Sequence, residues 1–314
     1  MTRTGYVWDA GYLGYTTSSI LPEGPRRAEA LSSSTLLGEL EGLASVAVDA
    51  ALGLPWVRRV HHPTYVDMVR DAFRQGRKAL DRSRETVVRE DMYDVALLSA
   101  AGALSLVRAV SAGDLDNGFA AIRPPGHHAA SAQARGFCVF NNVAVAARFA
   151  QEAGHRRILI VDWDVHPADG TSDIFFEDPD VHVVSVHQDG IFSPEVGRAD
   201  QRGRGPGYGT TYNLPLAEGS DETVYLRELT PLLEDAAERC QPDFVLISCG
   251  FDAHAGDPLG QMRLTDASYR RLTREVRAIA DHYAGGRLVS LLEGGYELNV
   301  LRRCVRIHLE TLME

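Results

Sequence analysis

The chain has 314 residues, 45% of them hydrophobic, enough to bury a large core in a single α/β domain over residues 1–314. Its formal net charge of -11, with no basic run or Arg/Lys stripe, repels polyphosphate backbones, so direct nucleic-acid binding is not expected. The four cysteines lack Cys-x-x-Cys spacing, the first residues lack the apolar core of a signal peptide, and no apolar stretch approaches the roughly 20 residues of a spanning helix. A cytoplasmic protein with reduced thiols and no membrane partner is expected.

Short apolar runs alternate with longer segments of helical period, the pattern of a mainly parallel sheet covered by helices. In chain order the sequence predicts a helix over 91–111, a strand over 118–122, a helix over 142–152, and strands over 157–161 and 181–186. A loop-like stretch rich in Pro and Gly follows over 189–209, long enough to form a functional surface. Next come a helix over 223–240, which Pro231 should bend or split, a strand over 244–248, and a helix over 266–283 with Thr265 as N-cap and Gly285-Gly286 as stop. A strand over 288–292 and a helix over 298–312 close the chain, and no internal repeat is present.

Chemically capable residues follow directly on four of these strands. Asp162, Asp164 and His166 come after residue 161, and in an extended chain alternate side chains share a face. With Asp252 they supply the oxygen and nitrogen donors of a catalytic divalent-metal site, which points to a metal-dependent hydrolase. Gly126-His127-His128 follow the strand ending at 122, Gly250-Phe251-Asp252 the one ending at 248, and Glu293-Gly294-Gly295-Tyr296 the one ending at 292. Taken singly, each has a blander reading. A strand-end Asp is commonly a turn residue or N-cap, a His pair is commonly structural, and Gly-Gly commonly makes a tight turn. A second pair, His61-His62, is assigned no chemistry. In an open α/β sheet, however, ligands bind outside the carboxyl ends of the strands, where all four segments converge.

The order Pro-Pro-Gly-His-His, Gly136-Phe137-Cys138-x-Phe140-Asn141-Asn142, Asp-x-Asp-x-His, Gly250-Phe251-Asp252-Ala253-His254-x-Gly256-Asp257-Pro258-Leu259 and Glu293-Gly294-Gly295-Tyr296 strongly resembles the histone deacetylase family. The resemblance runs from about Tyr6 to the end and is nearest to class II and bacterial deacetylase-like members. It implies an arginase-like domain with about eight mainly parallel strands and helices on both faces. It also implies a zinc-dependent amidohydrolase, with iron(II) as an alternative metal, that removes acetyl or other acyl groups from lysine side chains of proteins or peptides. Carried over by residue, Asp164, His166 and Asp252 are the metal ligands. His127 and His128 handle protons, with their division of labour open. Asp162 and Asp169 back these histidines, and Tyr296 donates to the oxyanion. Gly136, Phe137, Phe192 and Leu259 line the substrate channel, and the two phenylalanines flank an acyl-lysine stem. A structural potassium ion is implied around Asp162, Asp164, His166, Ser185 and Val186.

The sequence departs from the family pattern at Pro167 and Ala168, where relatives carry His-Gly, and in the rim segment Phe192-Ser193-Pro194-Glu195-Val196-Gly197. The acidic rim residue of many members has three candidates here, Glu85, Glu90 and Asp91. A second reading is a deacetylase of acetylpolyamines or other small acylated amines. Relatives of that kind tend to carry an acid where Leu259 stands, which favours acyl-lysine. A third, an inactive acyl-lysine-binding module, is opposed by the presence of Tyr296.

Overall fold

Strands form where aliphatic and β-branched residues run without polar interruption. In the computed structural model, which describes residues 2–18 and 20–314, eight strands share one all-parallel sheet. They are β1 (Thr4–Val7), β2 (Ala44–Val46), β3 (Asn117–Ala120), β4 (Ile158–Asp162), β5 (Val181–Gln188), β6 (Thr211–Leu216), β7 (Phe244–Cys249) and β8 (Leu288–Leu292). Their spatial order is β2-β1-β3-β8-β7-β4-β5-β6. The helices are α1 (Pro25–Ala30), α2 (Ser33–Glu39), α3 (Gly53–Val60), α4 (Pro63–Asp71), α5 (Met92–Ser111), α6 (Asn142–Glu152), α7 (Asp169–Phe175), α8 (Glu222–Cys240), α9 (Asp266–Tyr283) and α10 (Leu298–Met313).

A parallel sheet must be covered on both faces, and every residue of β4, β5, β7 and β8 is accordingly buried. One core layer packs α8, α9 and α10, with α2 at its margin, against side chains such as Leu159, Val161 and Ile247. The other packs α3 to α7 against Ile158, Ile160 and Leu246, the alternate residues of the same strands. The strand period of two thus divides one sequence between two cores.

Three strands escape the sequence reading for identifiable reasons. β1 and β2 are four and three residues long, and β6 contains Pro215, which only an edge position tolerates; β6 occupies that edge. Pro231 does not split α8, which continues from its Asp221 cap to Cys240. Contrary to expectation, α5 is long and apolar enough to cross a membrane by length and composition. Two-thirds of it is buried, because it contacts α3 and α6 on one side and the sheet on the other, and a helix apolar all round is a core helix here.

His308 of α10 sits fully buried between Thr273 Oγ1 (2.7 Å from Nδ1) and Ser290 Oγ (2.8 Å from Nε2), and burial lowers its pKa to about 3. As pH falls below about 6.5 the unfolded chain takes up a proton that the folded one refuses, so this residue contributes stability at neutral pH that is lost on acidification. Between about pH 6 and pH 4, wild type is expected to lose about 1.4 kcal/mol per pH unit more than His308→Gln, read from urea unfolding of both proteins. Parallel pH profiles would show that the histidine is not held neutral.

Candidate active site

The four reactive segments leave β3, β8, β7 and β4, which are consecutive neighbours in the middle of the sheet. Sequence order conceals this adjacency, and it is what brings residues 126–128, 293–296, 250–252 and 162–166 to one place.

The stretch from Asp162 to His166 is not the extended ladder that alternation predicts. β4 ends at Asp162, whose Oδ1 accepts from Asp164 N (3.1 Å), and Asp164 Oδ1 in turn accepts from His166 N (3.0 Å). Short carboxylates capping backbone amides two residues on bend the chain. Asp162 therefore faces His127, while Asp164 and His166 face Asp252. His166 Nδ1 lies 3.0 Å from Asp164 Oδ1 and 3.3 Å from Asp252 Oδ2. Gly294 N donates to Asp164 Oδ2 (2.7 Å) and Val165 N to Asp252 Oδ1 (2.8 Å). The glycines here are required by space. A Cβ at Gly294 would stand 2.0 Å from Asp252 Oδ2, and one at Gly250 would stand 2.2 Å from Asp164 Oδ2.

These three side chains fit a divalent metal. Their donor atoms lie within 4.8 Å of one another, and Asp252 Oδ2 is a buried carboxylate oxygen without a hydrogen-bond partner. The electrostatics agree. Burial and the neighbouring Asp164 push Asp252 up to about 7. Burial opposes ionisation of Asp164 as well, but the His127 and His166 cations hold it well below the usual carboxylate range. His166 is raised to about 10 against its own burial, by the Asp164 and Asp252 carboxylates beside its Nδ1. Two adjacent buried carboxylates need a positive partner, and a dication is the one that also satisfies Asp252 Oδ2.

Two His/Asp pairs flank this group. His127 Nδ1 lies 2.9 Å from Asp162 Oδ2 and His128 Nδ1 lies 2.5 Å from Asp169 Oδ1, with the two rings 4.0 Å apart. A carboxylate accepting at Nδ1 fixes the proton there and leaves each Nε2 directed away from its carboxylate. Burial works against protonation of His127, yet Asp162, Asp164 and Glu293 raise it well above the ordinary imidazole range. Burial and the His127 charge lower His128 to about 4. The loop carrying both rings is anchored by Glu293, whose Oε2 accepts from Gly126 N (2.7 Å) and His127 N (3.1 Å), and by Asn141 Nδ2, which donates to Ala129 O (2.9 Å).

Tyr296 is fixed from three sides. Its backbone N donates to Asp257 Oδ2 (2.6 Å), its ring lies 4.9 Å from the Arg27 guanidinium carbon, and Phe137 packs on it at 5.9 Å. Arg27 donates through Nε to Gly295 O (2.7 Å) and through Nη2 to Glu293 O. Burial raises the phenol well above 10, so its hydroxyl stays a donor. Arg27 belongs to a buried cluster with Glu23 and Arg123, in which Arg123 grips the carboxylate through Nε and Nη2, both at 2.9 Å. Arg27 and Glu23 have no local sequence signature, whereas Asp257 stands in the quoted Gly256-Asp257-Pro258 stretch without an assigned role.

A cavity of about 390 Å³ leads from the surface to His127, His128, His166 and Tyr296, with Gly136, Phe137, Ile191, Phe192 and Leu259 in its walls and Leu21 and Pro22 beside them. Phe137 is presented by a tight turn in which both it and Gly136 have positive φ (66° and 49°). Gly136 is required because a Cβ would meet His128 Cδ2 at 2.5 Å. Phe192 stands edge-on to His128 at 4.5 Å. Of the three rim acids considered, Glu85 lines this cavity, whereas Glu90 and Asp91 do not. Pro167 packs toward Gly197 of the rim loop and its carbonyl accepts from Asp169 N (2.8 Å), leaving His166 at the cavity floor. Asp162 pairs in register with Ser185, which places Ser185 and Val186 alongside the bend at 162–166.

His61, His62 and His254 make structural contacts. His61 Nε2 accepts from Asn141 N (2.8 Å) and burial lowers its pKa to about 4, while His62 Nδ1 accepts from Thr64 N to cap α4. His254, Asp266 and Cys304 form another group with metal-ligating atoms, but Gly256 N donates to His254 Nδ1 (2.9 Å). Nε2 must then carry the proton it shares with Asp266 Oδ1 (3.1 Å), so it has no lone pair for a metal.

Comparison with known proteins finds similarity over most of the chain. Residues 21–312 match the histone deacetylase domain family. The chain is similar to Histone deacetylase 14, chloroplastic, of Arabidopsis thaliana, with 40% identity covering 79% of this chain and 61% of that one. It is also similar to Polyamine deacetylase HDAC10 of Homo sapiens, with 41% identity covering 86% of this chain and 40% of that one. It therefore spans about three-fifths and two-fifths of these relatives' lengths. The crystal structure of the HDA15 HD domain superposes with a TM-score of 0.91 at 33% identity, covering 99% of this chain and 91% of that one.

Proposed function

The chain belongs to the histone deacetylase family, and from that premise we propose that it hydrolyses the amide of an acylated primary amine, with acyl-lysine in proteins or peptides as the substrate class. The observation that carries this reading is the orphaned Asp252 Oδ2 in the cluster of Asp164, His166 and Asp252, whose histidine lines the same cavity as His127, His128 and Tyr296.

Asp164, His166 and Asp252 would hold the metal, zinc by family habit, with iron(II) the alternative. Bound there, such an ion acidifies water and polarises a carbonyl. The chain's own groups account for the rest. Phe137 and Phe192 orient an unbranched aliphatic stem and exclude water from it. Water oxygen bonds to the acyl carbon, Tyr296 donates to the carbonyl oxygen as charge develops, and the C–N bond breaks. The paired imidazoles remove the water's proton and supply one to the departing nitrogen, giving a carboxylate and a free amine. A potassium ion beside Asp162, Asp164, His166 and Val186 belongs to the same reading. Ser185 Oγ accepts from Ala168 N (3.1 Å) and lies 2.9 Å from His187 Nδ1, and its remaining lone pair would meet that ion.

Leu259 at the cavity favours acyl-lysine. Glu85, in the same lining, supports the second reading, a small acylated amine with a further cationic group. Acetate release from an acetyl-lysine peptide and from N-acetylputrescine, each with metal-stripped and zinc-reloaded protein, separates them. Zinc-dependent preference for the peptide supports the proposal, and preference for the polyamine transfers the assignment to Glu85. Turnover of neither by metal-loaded protein would reject amide hydrolysis of acetylated amines.

A further inference from the structure

One arginine outside the machinery described so far touches three of its parts. Arg135 Nη1 donates to Asp169 Oδ2 at 2.5 Å, while the other oxygen of that carboxylate holds His128 Nδ1. The guanidinium carbon lies 4.5 Å from the centroid of the Phe192 ring, whose edge meets His128. The Arg135 backbone closes the turn that presents Phe137: Cys138 N donates to Arg135 O (2.8 Å) and Arg135 N to Cys138 O (3.3 Å). The side chain is one-third exposed and lies outside the substrate cavity, in the wall of a separate hollow of about 250 Å³ that reaches His128 from the other side.

We infer that Arg135 is a positioning residue for the proposed hydrolysis, its guanidinium setting the Phe192 wall of the channel and the Asp169–His128 pair in register with each other. The inference rests on the proposed activity for its kinetic half and on the cavity alone for its binding half. The planar guanidinium does two things that simpler side chains do singly: it covers an aromatic face, and it gives a nearly buried carboxylate a charged partner in addition to His128. Asp169 with one partner can swing, and His128 swings with it. Phe192 without its cover can tilt, and the channel loosens.

Arg135→Lys keeps a cation for Asp169 and loses the flat cover, whereas Arg135→Met keeps an apolar cover and loses the cation. For Lys, KM for the acyl-amine substrate and the Kd of an alkyl hydroxamate should rise about threefold to fivefold with kcat little changed, the loss of a planar group stacked on the Phe192 ring. For Met, kcat should fall about tenfold with hydroxamate Kd little changed, the usual cost of removing an outer partner of a catalytic group. A residue that merely stabilises the fold would move both parameters together and in proportion to the loss in melting temperature. That result, or an unaltered hydroxamate Kd in the Lys variant, overturns the inference. If wild type hydrolyses no acylated amine, the proposed function fails. The inference is then decided by hydroxamate binding, which needs only metal and channel walls: weakening in Lys but not in Met upholds it, and equal affinities reject it.

Discussion

Asp252→Ala is expected to abolish metal retention. Its two carboxylate oxygens have separate tasks, Oδ1 accepting from Val165 N and Oδ2 facing His166 Nδ1 with no hydrogen bond of its own. Alanine leaves Asp164 and His166, one donor short of the three protein ligands a catalytic zinc site ordinarily supplies. The metal content of dialysed protein should fall from about one ion per chain to near zero, and turnover should vanish with it. A second measurement excludes simple misfolding. An ion binding only the folded state at a thousand times its Kd stabilises it by about 4 kcal/mol, so chelation should lower the wild-type melting temperature and leave that of the variant unchanged. Full metal occupancy in Asp252→Ala would reject the ligand assignment and move it to the other buried group with ligating atoms, His127, Cys138 and Glu293.

The sequence reveals elements whose pattern is local. Residues 142–152, 266–283 and 288–292 form elements with the expected bounds, because their signals are adjacent in the chain: an Asn141 cap, a Thr265–Ser268 capping box, and an uninterrupted apolar run. Strands buried on both faces advertise themselves in the same way, which is why the α/β class with a mainly parallel sheet was legible from pattern, whereas the count of eight strands came only from the family resemblance. β6 did not, since Pro215 and Asn213 suit an edge and read as loop. At the site, reactive residues directly after strands were legible, but the order β3-β8-β7-β4 that makes them neighbours was not. The bend from Asp162 to His166 was misread as extended because side-chain capping of backbone amides leaves no periodic trace. Arg27 and Arg135 went unseen, and Asp257 was quoted in a motif without a role, for a different reason. Each acts on a partner 34 to 268 positions away, and nothing in the flanking residues marks such a contact.

Tyr296→Phe should lower kcat about 100-fold to 1000-fold, the usual cost of losing one oxyanion donor, while KM and metal content stay near wild type. The substitution isolates the hydroxyl. Phenylalanine preserves the packing of Phe137 and the cation over the ring, and the backbone bond from residue 296 N to Asp257 Oδ2 does not depend on the side chain. Because burial keeps the phenol protonated far above neutrality, the loss should be the same across the working pH range, with no inflection attributable to Tyr296. A pH-dependent deficit would mean that the hydroxyl exchanges a proton during turnover and does not only donate a hydrogen bond. A deficit in KM alone would make Tyr296 a wall of the channel, like Phe137, and leave the developing oxyanion to the metal alone.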